Sequence, residues 1–173
     1  MEEVKFQSLG SKRLILRKPV LDDAREIFNL RSNEQVNQYL DRQVATSIED
    51  AVTFIEKILA IINKNEGCYW AICLKENPRP VGTICYFDFS NDQPTAEIGF
   101  ELHPSHQHKG IMQEALTTVL DYGFQVLQLK SITAFPSDDN VASIRLLERN
   151  GFKREDDGQK QEGNLVRFIL RGV

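Results

Sequence analysis

With 173 residues, 41% of them hydrophobic and 27% charged, the chain is long enough to bury one substantial core, and a single domain over residues 1–173 is expected rather than a disordered or multidomain protein. A net charge of −4 argues against a nucleic-acid binder and suits a cationic partner such as an amine. No apolar run approaches the roughly 18 residues that span a bilayer, and Met1-Glu2-Glu3-Val4-Lys5 does not read as a signal peptide, so a cytoplasmic location is expected.

Residues 13–17 alternate around Leu14 and Leu16 and predict a first strand, which Pro19 ends. Ala24, Ile27, Phe28 and Leu30 follow helical spacing from Asp22, and Val36, Tyr39 and Leu40 suggest a second short helix; together these should wall one side of a cleft. Thr46 and Glu49 stand at capping-box spacing before a helical face of Val52, Ile55, Ile58, Leu59 and Ile62, which should end near Asn65-Glu66-Gly67. Tyr69 to Leu74 and Val81 to Phe89 are aromatic and β-branched, and predict a hairpin turning through Glu76-Asn77-Pro78-Arg79-Pro80. Cys68, Cys73 and Cys85 are odd in number and fall in these strands, where buried free thiols are expected. After a turn at Asn91-Asp92-Gln93-Pro94, a strand runs from Thr95 to Leu102.

A polar loop then leads into a long helix that is apolar at Ile111, Ala115, Val119, Leu120 and Phe124. Ser131 to Phe135 predicts the next strand. Asp138-Asp139-Asn140 opens a helix from about Val141 to Arg149, stopped by Gly151 at a position suited to the left-handed conformation. Phe152 to Arg154 and Asn164 to Leu170 complete the sheet. Hairpins first, then strands alternating with two helices, predict an α/β (α+β) protein: a mixed sheet with helices on both faces.

Gln107-His108-Lys109-Gly110-Ile111-Met112 sits where strand and loop give way to the long helix. A helix N-terminus there presents free N–H groups and a positive dipole end to an anion, and glycine lets a ligand approach the backbone. Taken locally, the same spacing fits an ordinary helix start. The wider order, Gln-x-x-Gly-x-x after a strand, then Asn-x-x-Ser ahead of a Gly-Phe stop at Gly151-Phe152, resembles the GNAT superfamily of acyl-CoA-dependent N-acetyltransferases. Arg13-Leu14-Ile15-Leu16-Arg17-Lys18-Pro19 with Asp22-Asp23-Ala24 resembles its Rim-type branch, which includes ribosomal-protein N-terminal acetyltransferases. The resemblance runs from about Arg13 to Leu170. It implies a mostly antiparallel sheet in which the fourth and fifth strands, residues 95–102 and 131–136, splay into a V that takes the thioester arm of acetyl-CoA.

The resemblance also implies roles. Backbone groups of Phe100, Glu101 and Leu102 would run along the pantetheine and acetyl group, and Gln107, His108, Lys109, Gly110, Ile111 and Met112 would hold the pyrophosphate. Met112 replaces a small residue, so it either narrows the cradle or points outward along the helix. Asn140 is associated with the pantetheine arm, although it is equally an N-cap candidate. The family's usual tyrosine acid is Leu147 here, which leaves the Ser143 hydroxyl or water to protonate the departing thiolate. Glu97, in Ala96-Glu97-Ile98-Gly99, is the candidate general base, acting through a water; a strand glutamate serves as readily as a cross-strand ion-pair partner. His103, His106 and His108 are all the histidines, but no cysteine stands beside them and the loop suits phosphate, so no metal site is expected.

The function implied is transfer of an acetyl group from acetyl-CoA to a primary amine by direct attack on the thioester, most simply to a protein N-terminal α-amine. An α-amine, with a pKa of about 8, needs less help from a base than a lysine at about 10.4. The acidic balance of the chain favours basic N-terminal segments. The alternatives are a small-molecule acetyltransferase for polyamines, amino acids or aminoglycosides, and a non-catalytic acyl-CoA-binding module. No nucleic-acid or membrane partner is expected.

Overall fold

The computed structural model describes residues 5–159 and 161–173; Met1 to Val4, the start of the segment read as no signal peptide, lie outside them. Alternation in Leu14-Ile15-Leu16-Arg17 buries both leucines and turns Ile15 outward, forming β2 (Leu14–Arg17). It is edged by the two-residue β1 (Leu9–Gly10), too short to leave a pattern in the sequence.

β3 (Cys68–Leu74) and β4 (Asn77–Ser90) form the predicted hairpin, with a tighter turn. The expected turn residues Asn77 to Pro80 already belong to β4. A register shift at Cys73, paired with Pro80, accommodates prolines that have no N–H to give the ladder. β5 (Thr95–Leu102) has the predicted bounds and pairs antiparallel with β4. The chain then crosses through α4 (Ile111–Gln125) to β6 (Ser131–Ala134), the parallel neighbour of β5. After α5 (Val141–Arg149), β7 (Lys153–Arg154) and β8 (Phe168–Arg171) close a sheet that among the described residues has eight strands in the order β1-β2-β3-β4-β5-β6-β8-β7, with β5 and β6 its one parallel pair. β6 and β8 are shorter than their apolar runs suggest, because Pro136 leaves the sheet and residues 137 and 165 meet only as an isolated bridge.

Alternate residues of the sheet serve two cores. Trp70, Ile72, Ile84, Tyr86, Ala96 and Ile98 pack against Ile111, Ala115, Leu116 and Val119 of α4 and Leu147 of α5. On the face carrying Tyr69, Thr83, Cys85 and Gly99 lie α1 (Ala24–Ser32) and α3 (Ile48–Asn63), joined by Ala24, Ile27, Leu30, Ala51 and Ile55, with the one-turn α2 (Glu34–Asn37) beside them. The capping motif of α3 is one residue later than the spacing of Thr46 and Glu49 suggests. Ser47 Oγ accepts the Asp50 N–H at 3.2 Å, and the Asp50 carboxylate accepts from Thr46 N and Oγ1 at 2.9 and 3.0 Å.

The three thiols are free, Cys68 and Cys73 buried and Cys85 half-buried; burial pushes Cys68 and Cys85 up to about 12. No described helix is long and apolar enough to cross a membrane.

Candidate active site

α4 begins at Gly110, whose φ of 74° puts it in the left-handed region that penalises any Cβ. No side chain caps this helix. Among the described residues the N–H groups of Ile111, Met112 and Gln113 find no acceptor, and the first helical bond runs from Glu114 N to Gly110 O at 3.1 Å. Met112 does not project outward along the helix; it is 8% exposed and packs in the core.

The loop is pinned by residues whose spacing in the chain gives no hint of it. Arg13 Nη1 donates to Lys109 O at 2.9 Å, and Arg13 Nε to Glu114 Oε2 at 2.7 Å. The other Glu114 oxygen accepts from Arg13 N and Ser11 Oγ at 2.7 and 2.6 Å. Burial alone raises the Glu114 pKa, but these donors override it and bring the carboxyl down to about 2. Gln107 Nε2 donates to Leu102 O at 3.2 Å and ties the loop to the end of β5. His103 and His106 both engage Ser105, at 2.7 and 3.0 Å, in a local turn, while His108 holds a φ of 62° beside Gly110.

β5 and β6 pair over three rungs only, and the last joins Glu97 to Thr133. From Ile98 to Leu102 the β6-facing edge of β5 has no strand partner among the described residues, which is the splay expected of strands 95–102 and 131–136. Phe100, Glu101 and Leu102 therefore border the V. Because β5 and β6 are parallel, the Gly110 loop and the start of α5 follow their carboxyl ends at the same end of the sheet. There Asn140 Oδ1 accepts the Ser143 N–H at 3.2 Å, so the asparagine caps α5, and Ser143 is half-buried one turn before a fully buried Leu147. Glu97 is half-buried at the start of the V. Burial, and then the charge of Asp88, push its carboxyl up to about 7.

Next to Glu97, Arg31 of α1, Leu40 and Arg42 from the segment after α2, and Phe54, Ile58 and Ile61 of α3 line an open cavity of about 360 Å³ against β3, β4 and β5; α2 itself contributes no lining residue. Phe87, the cross-strand partner of Glu97, and Gly99 are among the residues that line it. Its lining is largely apolar, with Phe54, Ile58, Tyr69, Cys85 and Phe100, but carries Arg31, Arg42 and Glu101. Arg42 Nη2 lies 2.8 Å from Glu101 Oε2. Glu101 thus has a side-chain place in this cavity besides its backbone place at the V, and Arg31 and Arg42 line it although nothing in the pattern of their segment marks them.

Residues 13–153 match the model of an acetyltransferase (GNAT) domain. Over 150 residues the chain is 36% identical to the uncharacterised N-acetyltransferase YoaA of Bacillus subtilis, covering 87% of this chain and 85% of that protein. Over 163 residues it is 25% identical to the spermidine N(1)-acetyltransferase of Vibrio cholerae, with 94% and 88% covered. RimL, a ribosomal L7/L12 α-N-protein acetyltransferase solved with coenzyme A, shares the fold with a TM-score of 0.82 at 19% identity, over 95% of this chain and 98% of that one. The matched span takes in the Gly110 loop, both splayed strands and α5, and on that match the chain belongs to the GNAT acetyltransferase family, an acyltransferase.

Proposed function

We propose that the protein, acting as one domain, transfers the acetyl group of acetyl-CoA to an α-amine at a polypeptide N-terminus by direct attack on the thioester. The observation that carries the choice of acceptor is the charge of the cavity beside Glu97: two arginines against one glutamate, a lining that repels a polyamine. Family membership supports the cofactor, and the local geometry suits it. The free N–H groups of Ile111, Met112 and Gln113 at an uncapped helix start fit a pyrophosphate, with Gln107, His108, Lys109 and Gly110 shaping the approach. The unpaired edge at Phe100, Glu101 and Leu102 fits a pantetheine arm. Asn140 lies near the same end through its place at the start of α5.

In this reading Glu97, ionised in part at neutral pH, takes the amine proton through a water, and an α-amine already about a quarter neutral near pH 7.5 needs only that much help. Ser143 or water returns a proton to the thiolate. Three free thiols suit a reducing, cytoplasmic setting.

The test is one peptide carrying both a free N-terminus and an internal lysine, incubated with acetyl-CoA and read by mass spectrometry alongside spermidine. Acetylation of the N-terminus first, with little turnover of spermidine, is expected. Modification only at lysine or only of spermidine would return the acceptor to the other classes, and no thiol release with any amine would favour a non-catalytic acyl-CoA module.

A further inference from the structure

Arg31 ends α1 with its guanidinium carbon 3.7 Å from the centroid of the Phe54 ring, inside the cavity next to Glu97. A cation–π contact of this kind holds the guanidinium over the ring face without using its N–H donors. Among the described residues no carboxylate lies within ion-pair reach of it, and its side chain makes no hydrogen bond. The one carboxylate of the cavity, Glu101, is already set against Arg42. Arg42 is itself engaged: Nε donates to Asn37 Oδ1 at 2.7 Å, and Nη2 lies against the Glu101 carboxylate at 2.8 Å. Burial, then the neighbouring Arg42, lower the Arg31 pKa, while Glu101 and Tyr69 only partly offset them. A largely apolar cavity that holds two guanidinium groups against one carboxylate carries an excess of one positive charge and is complementary to an anion.

Position in the strand sets where that anion sits on the acceptor. Glu97 and Glu101 share a face of β5, four residues and about 13 Å apart at strand rise. An extended peptide whose amine is served by Glu97 through a water reaches the arginines with the side chain of its second or third residue.

We propose that Arg31, backed by Arg42, is the specificity-determining anchor of the acceptor site and takes a carboxylate at the second or third residue of the acceptor, so that acidic N-termini are the preferred substrates. This rests on the N-terminal reading above. It also reverses the preference for basic segments that the net charge of −4 suggests, since the charge at the cavity is opposite in sign to that of the whole chain.

The test compares peptides identical except for Glu, Gln or Lys at positions two and three, with free glutamate as a small amine bearing carboxylates, for the parent, Arg31→Gln and Arg31→Glu. With the parent, kcat/KM should fall about tenfold from the Glu to the Gln peptide and further to the Lys peptide, the size of one charged contact. Arg31→Gln should bring the Glu-to-Gln ratio near one through KM rather than kcat, and Arg31→Glu should invert the order in favour of Lys. A measurement independent of turnover is titration calorimetry of the acetylated Glu peptide with the CoA-loaded protein, where Arg31→Gln should weaken binding about tenfold. Equal losses for all three peptides, or unchanged calorimetric binding, would overturn the anchor and leave Arg31 a structural residue. If only free glutamate is acetylated and the reaction depends on Arg31, the anchor stands and the polypeptide reading falls. If the Lys peptide is the best parent substrate, the anchor falls and the polypeptide reading stands.

Discussion

Under the proposed function Glu97 joins chemistry and stability in one side chain, because the burial that would suit it to act as a base near neutral pH also makes its charge costly to the fold. Glu97→Gln is expected to lower turnover by about 100-fold at pH 7.5 while leaving acetyl-CoA affinity nearly unchanged, the usual range for loss of a general base. The parent kcat/KM should rise through an inflection near pH 7 that the variant lacks. A flat ratio of parent to variant from pH 6 to 9 would return Glu97 to a structural role. Thermal melting supplies a second readout. With a folded pKa of about 7 against 4.5 when unfolded, the protonated carboxyl favours the fold fully below pH 4.5, and this contribution is lost as pH rises through 7. The variant should therefore melt above the parent at pH 8, and the gap should close toward pH 4.5. At the same scale, Leu147, where the resemblance implied a tyrosine acid, is fully buried among the α4 and sheet side chains and serves the core.

At the level of elements, the clamp of Ser11, Arg13 and Glu114 joins the edge of the sheet to the first turn of α4 and so holds the Gly110 loop in place. A carboxylate with a folded pKa of about 2 contributes stability above its ordinary 4.5, and that contribution is lost as pH falls toward 2. Glu114→Gln should cost about 2 kcal/mol at pH 7, or about 4–8 °C in Tm for a chain of this length, through loss of charge-assisted hydrogen bonds. The deficit should shrink as the buffer is taken from pH 5 to pH 3. A deficit independent of pH would mean that the carboxylate charge contributes nothing there. The variant should also weaken acetyl-CoA binding while sparing the Glu97 inflection, since the loop moves and the base does not.

For the molecule as a whole, ligand binding to the native cradle alone predicts a gain in stability of about 2.7 kcal/mol at 100 times the dissociation constant of acetyl-CoA. A thermal shift assay with millimolar acetyl-CoA measures it, and the absence of a shift would sink the cofactor assignment. Gly110→Val should abolish the shift, because a β-branched residue is strained at a φ of 74° and blocks approach to the backbone. Lys109→Ala should weaken it less, since the carbonyl that Arg13 holds remains in place. Undiminished binding by Gly110→Val would mean that the loop is not the phosphate site.

Much of this architecture is local in origin and is legible in the amino-acid order. The alternation of Leu14 and Leu16, the bounds of β5, the left-handed glycine at 151, and the Asn140 cap all follow from side-chain periodicity and backbone sterics within a few residues. The same local reading misplaced the hairpin turn and the α3 cap, because Pro80 is absorbed by a register shift and Asp50, not Glu49, reaches back. The site itself divides along that line. Glycine before a long helix and a glutamate in the adjoining strand are visible as residues in order, and they suffice to suggest a cofactor loop and a base. The grip of Arg13 on a loop near residue 109, the burial that raises Glu97, and the pairing of Arg42 with Glu101 that leaves Arg31 uncompensated exist only once distant segments are packed together. Periodicity records which way a side chain faces, whereas the field and the partners it meets there are set by what the fold brings opposite, and for this protein that difference decides the sign of charge in the cavity beside Glu97.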